Sequence, residues 1–373
     1  MKKRLSLILV TAVFFLTIII APLLLIALPK KDFSENENRV LASAPEFSFK
    51  SLTDGSFTKE LEEYFIDHFP GRDAFVSLKT FIETALGRRE INGVFICKNG
   101  FYMDKYEKPK DPDRIVKAVN ELKKATNAEI QLMLAPTAVT VYSDYLPKSA
   151  DCYDQTKVID SIYKSVTSRC IDITGTLIKH KNDNQLYYKL DHHWTTFGAY
   201  YAYCEYCSVN NLKPLSEDKF TVKAVTDCFK GTTYSKVNDL FAKGDDIYIF
   251  DNPSLEVEVT YPDKQIKSDS MYEKSYLMKK DKYSYFLNNL NTYVEIENKN
   301  ISSTEELVVV KDSYANCLVP FLANHYKRIY VIDPRSCNDT ISDYINERPN
   351  VKKVLVLYNV GTLDTDVGVG KIY

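Results

Sequence analysis

The chain has 373 residues, 45% of them hydrophobic and 13% aromatic, enough apolar material for one large core or two smaller ones, which excludes disorder as the main state. Lys and Arg number 48 against 50 Asp and Glu, a formal charge of -2, which excludes a polyanion-tracking surface and with it nucleic acid as a partner. Eight cysteines are too few to build a disulfide scaffold in a chain this long.

Residues 5–29 carry no charge and follow Met1-Lys2-Lys3-Arg4. A hydrocarbon core takes roughly 20 apolar residues to span. A cleaved signal has a shorter apolar region, on the order of 7 to 15 residues, ending at small residues. Ala27-Leu28-Pro29 fits that cleavage pattern poorly, so residues 1–31 read as an uncleaved signal anchor. Pro22 is tolerable in a membrane helix and costly in a soluble one. The cationic cluster is expected on the cytoplasmic side and the chain after Lys30 outside, although Lys30 and Lys31 weaken the asymmetry.

Residues 32–57 are polar without a clear period and read as a stalk. From 58 to 86 apolar positions recur at helical spacing on both sides of Pro70-Gly71, which predicts helix, turn, helix. GVFICKNGFYM places two apolar runs around Asn99-Gly100, a hairpin signal. An amphipathic stretch at 113–125 leads into the strand-like IQLMLAP, and a second at 154–168 leads into CIDIT. The last third reads ELVVVKDS, helix, RIYVID, helix, KVLVLYNV. Short continuous apolar strands alternating with helices predict an α/β fold, three-layered, with a mostly parallel sheet. Residues 58–373 are therefore expected to form one domain. An insertion at about 210–300, rich in Tyr, Asp and Lys, breaks the alternation and could shape a binding face.

Of five histidines, two sit in Leu190-Asp191-His192-His193-Trp194. If this segment is extended, Asp191 and His193 share a face and His192 points the other way. A carboxylate beside an imidazole can fix its tautomer, the orienting half of a triad. Ser313 ends the run LVVV and opens a helix-like stretch, at the edge where parallel sheets bind ligands, and its own N–H could help hold an oxyanion. Each feature has a plainer reading: the serine as a helix N-cap, the Asp-x-His as a structural hydrogen bond. Asp-His-His also occurs in metal-dependent phosphoesterases, but no paired Asp cluster precedes Asp191 here, and neither metal nor cofactor is expected. Cys204 and Cys207 have redox-motif spacing without a second pair for zinc and read as a structural pair or two unpaired thiols rather than a catalytic motif. Trp194 is expected beneath the dyad, with a sugar-stacking platform as the minor alternative; Arg335 of Asp333-Pro334-Arg335 lines the Ser313 edge or simply pairs with an acid.

LDHHWTTFGAYYAY resembles the signature of the bacterial DHHW proteins, relatives of the alginate acetylation proteins AlgJ and AlgX. The resemblance runs through Glu37-Asn38-Arg39, DHFPGRD, KNGFYM, FKGTTYSK, VVVKDSYANCLVPFL, RIYVIDPR and VLVLYNV in order. It implies an SGNH hydrolase-like domain in which Ser313 is the nucleophile, His193 the general base and Asp191 its orienting acid. The SGNH pattern further implies oxyanion donors from a Gly and an Asn in separate blocks, for which Gly231, Asn288 and Asn289 are the candidates. The implied activity is extracytoplasmic acetyl transfer to, or esterase action on, hydroxyls of a surface polysaccharide. A multi-pass membrane acyltransferase is the implied donor partner. A non-catalytic carbohydrate-binding component of an export complex is the alternative.

Overall fold

A computed structural model describes residues 2–34, 36, 37 and 39–373; Met1 of the cationic cluster and Asn38 of the Glu37-Asn38-Arg39 motif lie outside the described residues. The chain divides into two compact units, residues 1–88 with 235–241, and residues 89–234 with 242–373. Residues 58–88 thus group with the segment before them.

In the smaller unit α1 (Lys2–Ala27) is a single helix containing Pro22. Its Ile8–Ala27 stretch, 20 residues, is long and apolar enough to cross a membrane. The expected stalk is partly structured: β1 (Phe33–Ser34) pairs with β2 (Arg39–Val40), and α2 (Phe49–Thr53) starts from a Ser48 capping box. α3 (Ser56–His68) and α4 (Arg72–Ala85) follow, parted by Gly71 at φ 73°, a left-handed turn position that glycine takes without strain.

The larger unit opens with a meander, β3 (Glu90–Ile91), β4 (Val94–Ile96) and β5 (Tyr102–Asp104), turning through Asn99-Gly100 as the sequence predicts. Then come α5 (Asp113–Ala125), β6 (Glu129–Ala135), α6 (Ala138–Val141), α7 (Gln155–Ser165), β7 (Arg169–Ile171), α8 (Thr174–His180) and α9 (Thr196–Val209). β8 (Thr221–Phe229) and β9 (Asp245–Asp251) form a separate antiparallel pair; between them in sequence comes α10 (Thr232–Val237), of which only residues 232–234 belong to this unit. β10 (Val257–Tyr261), β11 (Ile266–Ser268), β12 (Tyr293–Asn298), β13 (Glu306–Lys311), α11 (Val319–Leu322), β14 (Arg328–Ile332), α12 (Ile341–Asn346) and β15 (Val351–Asn359) complete the unit.

Eight strands make one sheet in the order β11-β10-β12-β14-β13-β15-β6-β7. The five strands from β14 to β7 are mutually parallel, and β12, β10 and β11 extend them antiparallel. Every residue of β13 is buried, as are the last six of β15 and of β6. Continuous burial requires cover on both sheet faces, which is the three-layered α/β arrangement. The 210–300 insertion therefore lengthens the sheet through β10–β12.

Candidate active site

β13 delivers Ser313 to the carboxyl edge of the sheet. Asp312 is extended, and one of its carboxylate oxygens accepts from Tyr314 N at 2.9 Å. The other accepts from Asn359 N at 2.7 Å and Asn359 Nδ2 at 2.6 Å, tying the end of β13 to the end of β15. Burial pushes the Asp312 carboxyl above its ordinary range, with the Asn359 and Tyr314 N–H groups pulling it back. Ser313 itself is half-buried, at the start of a 3₁₀ turn running to Cys317.

Residues 189–193 are a run of bends closed by a bridge between Tyr187 and Trp194, not a strand. The loop holds His193 with Nδ1 at 2.5 Å from Asp191 Oδ1 and Nε2 at 2.7 Å from Ser313 Oγ. An ionised carboxylate only accepts, so Nδ1 carries the ring proton and Nε2 accepts from the serine hydroxyl. Asp191 and His193 are 3% and 5% exposed, so this hydrogen-bond chain runs inside the protein.

The expectation for His192 is overturned. Because the segment bends, His192 does not point away: its Nδ1 is 2.5 Å from Thr232 Oγ1 and 3.7 Å from Asp191 Oδ2, and its ring centroid is 3.9 Å from that of His193. Thr232 in turn donates to Asp191 Oδ2 from its N–H at 2.8 Å and its hydroxyl at 3.1 Å. The ring of Tyr283, from the insertion, stacks on His193 at 3.7 Å and 12°, and its hydroxyl donates to the Ser313 carbonyl at 3.1 Å. Trp194 is fully buried and donates to Tyr314 O at 2.8 Å, which removes it as a sugar platform.

The other sequence candidates lie elsewhere. Gly231 sits at the acid end of the chain: a Cβ there would fall 2.0 Å from Asp191 Oδ2, so glycine lets the backbone bring the Thr232 N–H to that oxygen. Asn288 and Asn289 are consecutive left-handed residues, at φ 55° and 67°, whose carbonyls both accept from Asn291 Nδ2. Among the described residues no hydrogen bond joins either to Ser313, His193 or Asp191. Asp333 is doubly engaged by Arg335, at 2.8 and 2.6 Å, so this arginine pairs with a neighbouring acid. Cys204 and Cys207 are free thiols, and Cys207 is buried. Thr232, Tyr283 and Asn359 were missed by sequence reasoning. Thr232 stood inside the quoted FKGTTYSK, whereas nothing local marks Tyr283 among 27 tyrosines.

Electrostatics favours a neutral base and a charged acid. Burial would raise the Asp191 carboxyl, but His192, His193 and the Thr232 N–H overcome it and hold it well below the usual carboxylate range. Burial and the neighbouring His192 carry the His193 imidazole below its ordinary value, outweighing Asp191. The donor atoms of Asp191, His192 and His193 lie within 4.8 Å of one another, close enough to hold a metal ion. Both ring nitrogens of His193 and both Asp191 oxygens already have partners, so a metal there would displace the bonds just described.

A mostly parallel three-layered sheet with a Ser-His-Asp hydrogen-bond chain at its carboxyl edge defines an α/β protein with triad geometry. The chain belongs to the DHHW family, whose profile, described as "DHHW protein", matches residues 91–332. It is similar in structure to a DHHW family protein from Eubacterium siraeum, with 23% identity over 76% of this chain and 95% of that one and a TM-score of 0.65. It is also similar to PatB1 from Bacillus cereus, a structure with a sulfonyl adduct, with 20% identity over 74% and 98% of the two chains and a TM-score of 0.60. No curated protein sequence matches.

Proposed function

We propose that the protein is a membrane-anchored, extracytoplasmic acyl transferase or esterase, acting on acetyl esters and hydroxyls of a surface polysaccharide through Ser313, His193 and Asp191. The observation that carries this reading is the continuous Asp191–His193–Ser313 hydrogen-bond chain at the carboxyl edge of a parallel sheet. His193 Nε2 removes the Ser313 proton as Oγ attacks the acyl carbon. Collapse of the tetrahedral intermediate expels the donor alcohol, which leaves with that proton. A sugar hydroxyl, or water, then loses its proton to Nε2 while attacking the acyl-serine, and Ser313 recovers its hydrogen. Asp191 stabilises the imidazolium formed in each half.

The tetrahedral oxygen needs N–H donors. The Ser313 N–H is the first of its turn, and we assign it this role. α1 supplies the anchor, and a multi-pass membrane acyltransferase would supply acetyl groups if the acceptor is a sugar.

A fold relative carries a sulfonyl adduct, and a sulfonyl fluoride is the direct probe of this chain. The full-length protein in detergent should gain one sulfonyl group, located on Ser313 by peptide mass, and should release acetate from 4-nitrophenyl acetate. Ser313→Ala should lose both while keeping its circular dichroism. Acetate release equal to wild type in Ser313→Ala would defeat the mechanism.

A further inference from the structure

One cavity of the larger unit opens beside the base. It has a volume of about 70 Å³ and lies over the carboxyl ends of β6 and β15, one strand along from Ser313, with Asp191 and His192 in its wall. On the same measure one water needs about 10–15 Å³, so the space admits several waters or the hydroxyl-bearing edge of a sugar residue.

Its lining has features the proposed chemistry does not use. Tyr106 and Thr233 are 7% and 0% exposed, and the hydroxyl of each is buried without a hydrogen-bond partner among the described residues. Buried hydroxyls are ordinarily paired, so both are suited to an incoming group that donates and accepts. Nearby, Thr362 accepts from Asn359 Nδ2 at 2.8 Å, and its hydroxyl proton remains to be placed. The charged residues in the wall are two acids, Asp104 and Asp191, and one base, Lys105, whose Nζ is 3.8 Å from Glu90. A phosphate or carboxylate would find no surplus of positive charge here. Neutral groups that both donate and accept, beside tyrosine rings, describe a carbohydrate hydroxyl edge.

We infer that this cavity is a carbohydrate subsite, holding the hydroxyl edge of a sugar residue next to the one that reacts at Ser313. The inference rests on the polysaccharide reading above and deepens it. Tyr106 and Thr233 supply the recognition, and the shared Asp191 and His192 wall sets the subsite one imidazole away from the base, at the 3.9 Å between the two histidine rings.

Saturation-transfer NMR on the full-length protein in detergent, with chitotetraose and cellotetraose as probes, tests it without turnover. Wild type should bind one of the two tetrasaccharides. Thr233→Val, which removes only the hydroxyl, should weaken that binding at least tenfold, and Tyr106→Phe similarly. Thr233→Ser, which restores a hydroxyl, should recover it. Should Tyr106→Phe fail to fold, the Thr233 pair still decides. Equal binding by wild type and Thr233→Val, or no saturation transfer to either sugar in wild type, overturns the subsite. Binding that depends on Thr233, in a protein never labelled at Ser313 by a sulfonyl fluoride, would uphold the subsite while the catalytic reading failed.

Discussion

Gly231→Ala should cripple the site without touching any of its three central residues. The added methyl would meet Asp191 Oδ2 at 2.0 Å, Cβ at 2.4 Å and Cγ at 2.5 Å, where ordinary contact begins near 3.4 Å, so backbone or carboxylate must retreat by more than 1 Å. Such a retreat takes the Thr232 N–H out of reach of Oδ2, now at 2.8 Å, and turns Oδ1 away from His193 Nδ1. The lost hydrogen bond to a charged group costs about 1.5–3 kcal/mol and overpacking about 1–3 kcal/mol. One movement relieves the clash and breaks the bond, so the combined loss should be about 3 kcal/mol, which a domain of ordinary stability survives. Misorienting the acid of a triad lowers turnover by at most about 10⁴-fold, so a fall of roughly 10²–10⁴ in acetate release and sulfonyl labelling is expected. Thr232→Val is the control: it keeps the N–H, loses the hydroxyl bonds to Asp191 and His192, and should cost about tenfold or less. Urea denaturation gives the stability change and labelling kinetics the rate. A Gly231→Ala protein with wild-type stability and wild-type labelling would refute the packing argument at its root.

Two further expectations follow from the same geometry and from the N-terminus. His193 acts as a base only when neutral, and its folded value lies below the ordinary imidazole value, so labelling of Ser313 should be flat through neutral pH and fall only below about pH 6.5; an acid limb centred above pH 7 would contradict this. Fractionation should find the full-length chain in membranes with residues after Lys31 open to external protease, since Ile8–Ala27 is long and apolar enough to span; a soluble species beginning near residue 30 would show cleavage instead.

What the sequence disclosed depended on how each element meets its surroundings. β13, β14 and β15 are buried on both faces and so read as unbroken apolar runs. β12 alternates, with Glu295 and Glu297 on its less buried face, and gives no such run, which hid the antiparallel half of the sheet inside an apparent insertion. Asp191, His193 and Ser313 were legible because short motifs carry them. Their companions were not: Tyr283 reaches His193 only through the tertiary fold, and the role of Gly231 is visible only as a distance to Asp191. The error over His192 came from applying strand alternation to a loop that a bridge from Tyr187 to Trp194 bends shut.

The floor under Ser313 makes a last prediction, independent of any activity. Val310 pairs with Ile332, so Lys311 and Asp333 leave the ends of adjacent parallel strands, with side chains 4% and 0% exposed and Nζ 3.1 Å from Oδ2. Asp333 also takes Arg335 at 2.8 and 2.6 Å, so one buried carboxylate serves two cations. Removing the shared acid strands the buried Lys311 ammonium and leaves Arg335, 31% exposed, with Asp366 at 3.9 Å; breaking a buried pair in this way costs about 3–5 kcal/mol. Lys311→Met removes a desolvated charge and leaves the Asp333–Arg335 pair intact, so it should cost about 1 kcal/mol or less. Urea denaturation should therefore place Asp333→Asn well below Lys311→Met. Burial pushes the Asp333 carboxyl up, but Lys311 and Arg335 prevail and hold it below its ordinary value. A depressed folded value means this stability is fully present above about pH 4 and is lost as pH falls through the folded value, so Asp333→Asn should flatten part of the acid limb of the wild-type stability profile. Equal losses in the two variants, or a larger loss in Lys311→Met, would show that the carboxylate is not the shared partner, and that the end of β13 is held by the Asp312–Asn359 bonds alone.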